Sequence, residues 1–250
     1  MFPDDDLGFF DYLHELYEAA RESRGALVRL ESFAEQGNSF AQWRMGALFD
    51  PEAPRENQPT TVRVNGAVAA YWYRKAAEQG LAAAQLSLAL LYDRGTGVPR
   101  DRLQAARWLE RAAEQGMEQA QWRLATLLLR NTGIPCNPEK ALYWLRQAAA
   151  AGPARLQYGV GGIYEVGWRP WPDAQKPPFW AGRGTGRPPP HLGFPFSGLE
   201  IEPDPEEARR WYRMAAENGH AEAEYRMGLF LEEGIGGESD LAEAARWYRR

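Results

Sequence analysis

A chain of 250 residues, 44% hydrophobic and 25% charged, is long enough to bury a sizeable core and ordinary in composition for a globular protein. Its net charge of -5, with Arg and Glu mixed along the chain rather than sorted into blocks, disfavours a nucleic-acid binder, which needs a clustered basic face. One cysteine, Cys136, excludes an intramolecular disulfide framework, and no window approaches the ~18 apolar residues of a membrane span.

The N-terminus, Met1-Phe2-Pro3-Asp4-Asp5-Asp6, is acidic and lacks a basic stretch followed by an apolar run, so it does not read as a secretory signal. The expected compartment is the cytoplasm, or the periplasm if a signal peptide has been removed. Residues 7–37 carry two weak helical patterns, Phe10, Leu13, Leu16, Tyr17, Ala20 and then Ala26, Leu30, Phe33, Ala34. They read as a degenerate N-terminal capping helix pair, 1–37.

From residue 38 to 250 one register recurs. Ala84, Leu88, Ala89 and Tyr92 on a first helix precede the loop Gly95-Thr96-Gly97-Val98-Pro99-Arg100; Ala105, Trp108, Leu109, Ala112 and Ala113 on a second helix lead to Gly116. A step of 36 residues reaches Ala120, Leu124, Ala125, Ala141, Trp144, Leu145 and Gly152. Such self-similarity marks a repeat architecture. An earlier unit uses Ala41, Met45 and Gly46, then Ala69, Trp72, Tyr73 and Gly80 after a longer loop. Leu156, Val160, Gly161 and Tyr164 open a fourth unit, whose glycines 159, 161 and 162 predict a short first helix. An irregular Pro- and aromatic-rich insertion, 168–203, precedes the second helix at Ala208, Trp211, Tyr212 and Gly219. The fifth unit holds Ala223, Met227, Gly228, Ala244, Trp247 and Tyr248. The expectation is an all-α chain of about five helix–loop–helix units.

The small residues Ala89, Ala125, Gly161 and Gly228 leave room for a neighbouring helix, and Trp108, Trp144, Trp211 and Trp247 are placed to bury the largest areas. Asp204 with Pro205, Asn137 with Pro138, and Asp240 with Glu243 predict second-helix N-caps. Gly80, Gly116, Gly152 and Gly219 suit the left-handed position that closes a helix.

This spacing resembles the SEL-one-like repeat (SLR) family, relatives of the tetratricopeptide repeats. The matching residues are Ala84, Leu88, Ala89, Tyr92, Gly95, Gly97, Val98, Asp101, Ala105, Trp108, Leu109, Ala112, Ala113 and Gly116. The resemblance implies a right-handed α-solenoid whose members hold other proteins; some bacterial members neutralise a secreted toxin.

No constellation points to catalysis, a cofactor or a metal site, so the chain is not expected to be an enzyme. His14, His191 and His220 lack metal-ligand spacing. Gly182 to Arg187 lacks the lysine and the following helix of a phosphate loop, because Pro188 to Pro190 intervene. Two features point to a protein partner. The third position of the first helices carries Trp43, Leu86, Trp122, Tyr158 and Tyr225, followed by Arg44, Ser87, Arg123, Gly159 and Arg226. Stacked, they form either an aromatic and arginine stripe of hot-spot residue types or packing between repeats. The insertion adds Trp168, Trp171, Trp180, Arg183 and Arg187. The reading is a monomeric interaction scaffold with no nucleic-acid or membrane partner. A toxin-neutralising immunity protein is the alternative, and a glycan or peptidoglycan-fragment binder or hydrolase the second.

Overall fold

The computed structural model describes residues 6–53, 62–129, 134–135, 137–167 and 202–250. Among the described residues there are twelve helices: α1 (Asp6–Ala20), α2 (Arg24–Glu35), α3 (Ser39–Phe49), α4 (Gly66–Glu78), α5 (Ala82–Arg94), α6 (Arg102–Glu114), α7 (Glu118–Leu129), α8 (Pro138–Ala150), α9 (Ala154–Val166), α10 (Pro205–Glu217), α11 (Ala221–Glu233) and α12 (Leu241–Trp247). No helix of the described residues is long and apolar enough to cross a membrane. The chain divides into two compact units, Met1–Ala120 and Gln121–Arg250.

Each repeat closes by the same backbone staple, whatever the length of its loop. The N–H of the second helix's N-cap donates to a carbonyl near the end of the first helix: Asn65 to Phe49 at 2.8 Å, Asp101 to Tyr92 at 2.9 Å, Asn137 to Leu128 at 3.2 Å, Asp204 to Tyr164 at 2.8 Å and Asp240 to Leu231 at 2.8 Å. The cap side chains then accept from the first turn, as from Gln104, Lys140, Glu207 and Glu243. These carboxylates and amides satisfy donors that a helix start leaves orphaned. The staple explains how the longer loop and the insertion leave the helix pairing intact.

The other helix ends are equally regular. At Gly80, Gly116 and Gly219, φ lies between 80° and 94°. The following residue donates back across the turn, Leu81 to Ala76, Met117 to Ala112 and His220 to Ala215, which is the Schellman arrangement. Gly152 does not join them, contrary to its sequence slot, because Pro153 pushes the residue before it toward extended backbone.

In unit 1, α1 packs on α2 and α3, α3 on α4, α4 on α5 and α5 on α6. Leu13, Ala20, Leu30, Ala34, Ala41 and Met45 form one part of its core; Ala69, Tyr73, Ala77, Ala84 and Leu88 form the next. In unit 2, α8 packs on α9, α9 on α10, α10 on α11 and α11 on α12, over buried Trp144, Val160, Trp211, Tyr212, Met227 and Trp247. Trp108, expected to bury as fully, is only half-buried and lies under the Arg111 guanidinium, 4.6 Å from its ring centroid.

The glycine-crowded α9 is a full 13 residues long, not short. Its glycines sit where neighbours press closest: a Cβ on Gly161 would stand 2.7 Å from the Tyr212 ring. Tertiary packing here outweighs the low helix propensity.

Candidate functional site

In unit 1, Trp43 and Arg44 occupy one turn of α3. Trp43 is half-buried, and its indole N–H donates to Ser87 Oγ on α5 at 3.3 Å. Ser87 in turn donates to the Ala83 carbonyl at 2.9 Å, the usual outlet for a hydroxyl inside a helix. Leu86 is buried. Arg44 lies among three rings, its guanidinium carbon 4.6 Å from the Tyr17 centroid, 5.0 Å from Phe40 and 4.7 Å from Trp43. Arg44 Nη2 donates to His14 Nδ1 at 2.9 Å; arginine offers only donors, so the imidazole nitrogen accepts.

In unit 2 the same register is wired differently. Arg226 Nη1 donates to Glu165 Oε1 at 2.8 Å, and Tyr212 OH donates to the other oxygen, Oε2, at 2.5 Å. Tyr158 stacks on His220 with centroids 4.5 Å apart and planes 14° from parallel. Burial raises the Tyr158 pKa, with Arg226 opposing. For Tyr212, burial and then the charge of Glu165 raise the pKa well above the usual phenol value. Glu165 also raises the pKa of Arg226 against the opposing effect of burial. Tyr225 stands 56% exposed, 5.8 Å from the Tyr248 ring. Trp122 is half-buried and Arg123 exposed.

Thus Trp43, Arg44, Tyr158 and Arg226 bridge neighbouring first helices within their units, while Tyr225 and Arg123 face outward. Trp168, Trp171, Trp180, Arg183 and Arg187 lie outside the described residues, as do Cys136, His191 and the Gly182 to Arg187 stretch. The two described histidines, His14 and His220, both serve as packing and hydrogen-bonding groups, and no metal-ligating cluster occurs among the described residues.

Apolar periodicity passes over a second repeated group, the glutamine that follows the register alanine or leucine in four of the five first helices, Glu224 taking the slot in the fifth. Gln42, Gln85 and Gln157 are buried and donate from Nε2 to the Ala34, Ala77 and Ala149 carbonyls, at 2.9, 3.2 and 3.1 Å. Their Oε1 atoms accept from Gln79, Gln115 and Asn218, at 2.7, 2.8 and 2.9 Å. Each amide therefore ties the end of one second helix to the end of the next. The recurring signal is legible in the sequence as Ala41-Gln42, Ala84-Gln85, Ala120-Gln121 and Leu156-Gln157.

Comparison with known families decides the wider assignment. The Sel1 repeat family matches residues 39–81, 82–117, 118–153, 194–220 and 221–250, well over half of the chain. The chain is a Sel1 repeat protein. Among solved structures it is similar to a Sel1 repeat protein from Oxalobacter formigenes, with 29% identity, a TM-score of 0.64, and coverage of 95% of this chain and 82% of that one. It also matches a protective antigen of uropathogenic Escherichia coli strains displaying an SLR fold, at 24% identity and TM-score 0.65; there it covers 98% of this chain but 46% of that one. A 44-residue stretch is 54% identical to the chitin synthase regulator SKT5 of Malassezia restricta, covering 18% of this chain and 3% of that protein. The all-α solenoid class expected from the repeats is the class of these structures. Sel1 repeat proteins are generally non-catalytic scaffolds that mediate protein–protein interaction.

Proposed function

We propose that this Sel1 repeat protein binds a protein partner through the exposed parts of the first helices of its units. The observation that carries the reading is a register in which Trp43-Arg44, Trp122-Arg123 and Tyr225-Arg226 repeat one aromatic–arginine pair, with Arg123 and Tyr225 open to solvent. Aromatic and arginine side chains are the types that dominate interface energetics. Trp43 and Arg44 are already held by neighbours, so ordering them on binding costs little side-chain entropy. Among the described residues of the arrangement, Glu165 and Tyr212 are engaged in pairing helices.

A quantitative crosslinking pull-down from the native host tests the reading. Wild type, Trp122→Ala with Arg123→Ala, and Tyr225→Ala are compared with Tyr71→Ala, an exposed second-helix tyrosine. The expected result is loss of the same partner from the first-helix variants and full recovery with Tyr71→Ala. Equal recovery from all four chains would remove the first helices from consideration.

A further inference from the structure

Arg44 and Arg226 share a register, three residues after Ala41 and Ala223, yet their charges are met in opposite ways. Arg226 has its carboxylate inside the protein, Glu165 at 2.8 Å. Among the described residues, no carboxylate lies within ion-pair distance of Arg44. Glu18, the acid whose field reaches it, is itself taken by Arg21 at 3.0 Å. Arg44 Nε is buried without an acceptor, and among the described residues its hydrogen-bond partner is His14.

The surroundings hold this cation in place rather than neutralise it. Tyr17, Phe40 and Trp43 offer ring faces, whose negative quadrupoles attract a guanidinium but leave its charge uncompensated. Desolvation is accordingly the largest influence on Arg44, and it lowers the pKa. Beside this box Phe10 is 46% exposed and meets Phe40 edge-on at 5.3 Å, so an apolar ledge adjoins the charge. A preorganised, half-buried arginine edge is complementary to a carboxylate, and a low local dielectric strengthens such a contact. Phosphate fits less well: it favours several converging cations, and the other guanidinium over the Tyr17 ring, Arg21 at 5.8 Å, is already paired with Glu18.

We infer that the Arg44 box anchors an acidic side chain of the partner protein, with an apolar neighbour of that residue resting on Phe10 and Phe40. This rests on the protein-interaction reading and names the chemistry of the segment bound. The partner segment supplies the counter-charge that Glu165 supplies to Arg226.

Selection of random peptides displayed against the full chain tests it. The expected sequences carry Asp or Glu next to an aromatic or aliphatic residue. For a selected peptide, titration calorimetry is expected to show about tenfold weaker binding when its acid is changed to the amide. Arg44→Gln in the protein should weaken it by the same factor, and the two changes together no further. Arg111→Gln, on a second helix, serves as the control and should bind as wild type. If Arg44→Gln does not fold by circular dichroism, the acid-to-amide peptide and a salt series from 50 to 500 mM carry the test on the wild-type chain, where affinity should fall with salt only for the acidic peptide. Peptides lacking an acid, a preference for phosphopeptides, or acid dependence that persists in Arg44→Gln would overturn the anchor while leaving the interaction reading intact. Failure of that broader reading looks different: selected peptides would bind the Trp43→Ala chain, acid or no acid, as tightly as wild type.

Discussion

The repeat made by α3 and α4 and the one made by α5 and α6 lie side by side in unit 1, but they fill their centres differently. In the first, Gly46 faces Tyr73; in the second, the same two slots hold Ala89 and Leu109. Unit 2 holds both versions as well, Ala125 and Leu145 in one repeat and Gly161–Tyr212 and Gly228–Tyr248 in the next two. Small opposes large, and the volume is conserved across the pair. The tyrosine version adds a polar anchor. Its hydroxyl donates to a carboxylate four residues beyond the glycine: Asp50 at 3.1 Å, Glu165 at 2.5 Å and Glu232 at 2.8 Å. In the alanine version the corresponding residue of α5, Asp93, turns instead to Arg102 at 3.3 Å. One helical frame thus accommodates two internal solutions, and only the tyrosine solution fixes an acid where a following repeat's arginine can use it, as Arg226 does.

The sharpest way to break this contrast is to mix the solutions. A Cβ on Gly46 would stand 2.4 Å from the Tyr73 ring, which is only 2% exposed and has nowhere to move. Gly46→Ala is expected to destabilise the fold by about 3 kcal/mol. Adding Tyr73→Leu should restore most of that loss, since the pair then matches Ala89 and Leu109. Urea denaturation of the two single variants and the double variant measures the coupling; additive losses would mean that the slots are independent.

A smaller effect separates the acids. Glu165→Gln leaves Arg226 half-buried without its counter-ion and should cost about 2 kcal/mol. Glu232→Gln faces Tyr248, which is 41% exposed, so water can replace the lost contact and the change should be within about 0.5 kcal/mol. Equal losses in thermal melts would contradict the role given to Arg226.

The glutamine ties run through tyrosine and alanine repeats alike, and they mark the limit of what the sequence discloses. Gln157→Ala removes the donor to Ala149 and the acceptor for Asn218; a loss of about 1–2 kcal/mol is expected, and a similar loss for Gln85→Ala in the alanine-type repeat. A large difference between them would show that the tie depends on the repeat type. Ala41, Ala84, Ala120 and Trp144 are legible because apolar periodicity carries them. The caps at Asp204, Asn137 and Asp240 are legible because their chemistry is local. Apolar periodicity does not carry Gln42 and Gln157, because a buried polar residue interrupts that pattern; only the recurrence of glutamine in one register slot marks them. The stripe shows the same division: spacing puts Trp43, Tyr158 and Arg226 on one register, whereas their partners Ser87, His220 and Glu165 lie 44, 62 and 61 residues away in sequence. Glycine content suggested a short α9, and Tyr212 filling the space over Gly161 explains why that helix is full-length.

The gentlest probe of the two solutions is alkaline pH, because only the tyrosine version holds a proton that the unfolded chain gives up. Burial, then the hydrogen bond to Glu232 and its charge, push the Tyr248 phenol up to about 12 from its ordinary 10.0. Burial followed by the charge of Asp50 raises Tyr73, and burial followed by the charge of Glu165 raises Tyr212. Below pH 10 these hydroxyls are protonated whether the chain is folded or not, so their contribution is fully present and flat. Above pH 10 the unfolded chain loses the protons while the folded one keeps them, so stability falls as pH rises. For Tyr248 the fall runs from about 10 to about 12; for the two buried tyrosines it continues beyond. Urea midpoints measured from pH 9 to 11.5 should therefore decline above 10 for wild type. The decline should be shallower by a similar slope for Tyr73→Phe, Tyr212→Phe and Tyr248→Phe up to about pH 11, with the Tyr248 contribution the first to level off, as its phenol titrates at about 12. Parallel curves for all four proteins would mean that the hydroxyl–carboxylate pairs do not distinguish the tyrosine repeats energetically, leaving ring volume against glycine as the whole of the difference.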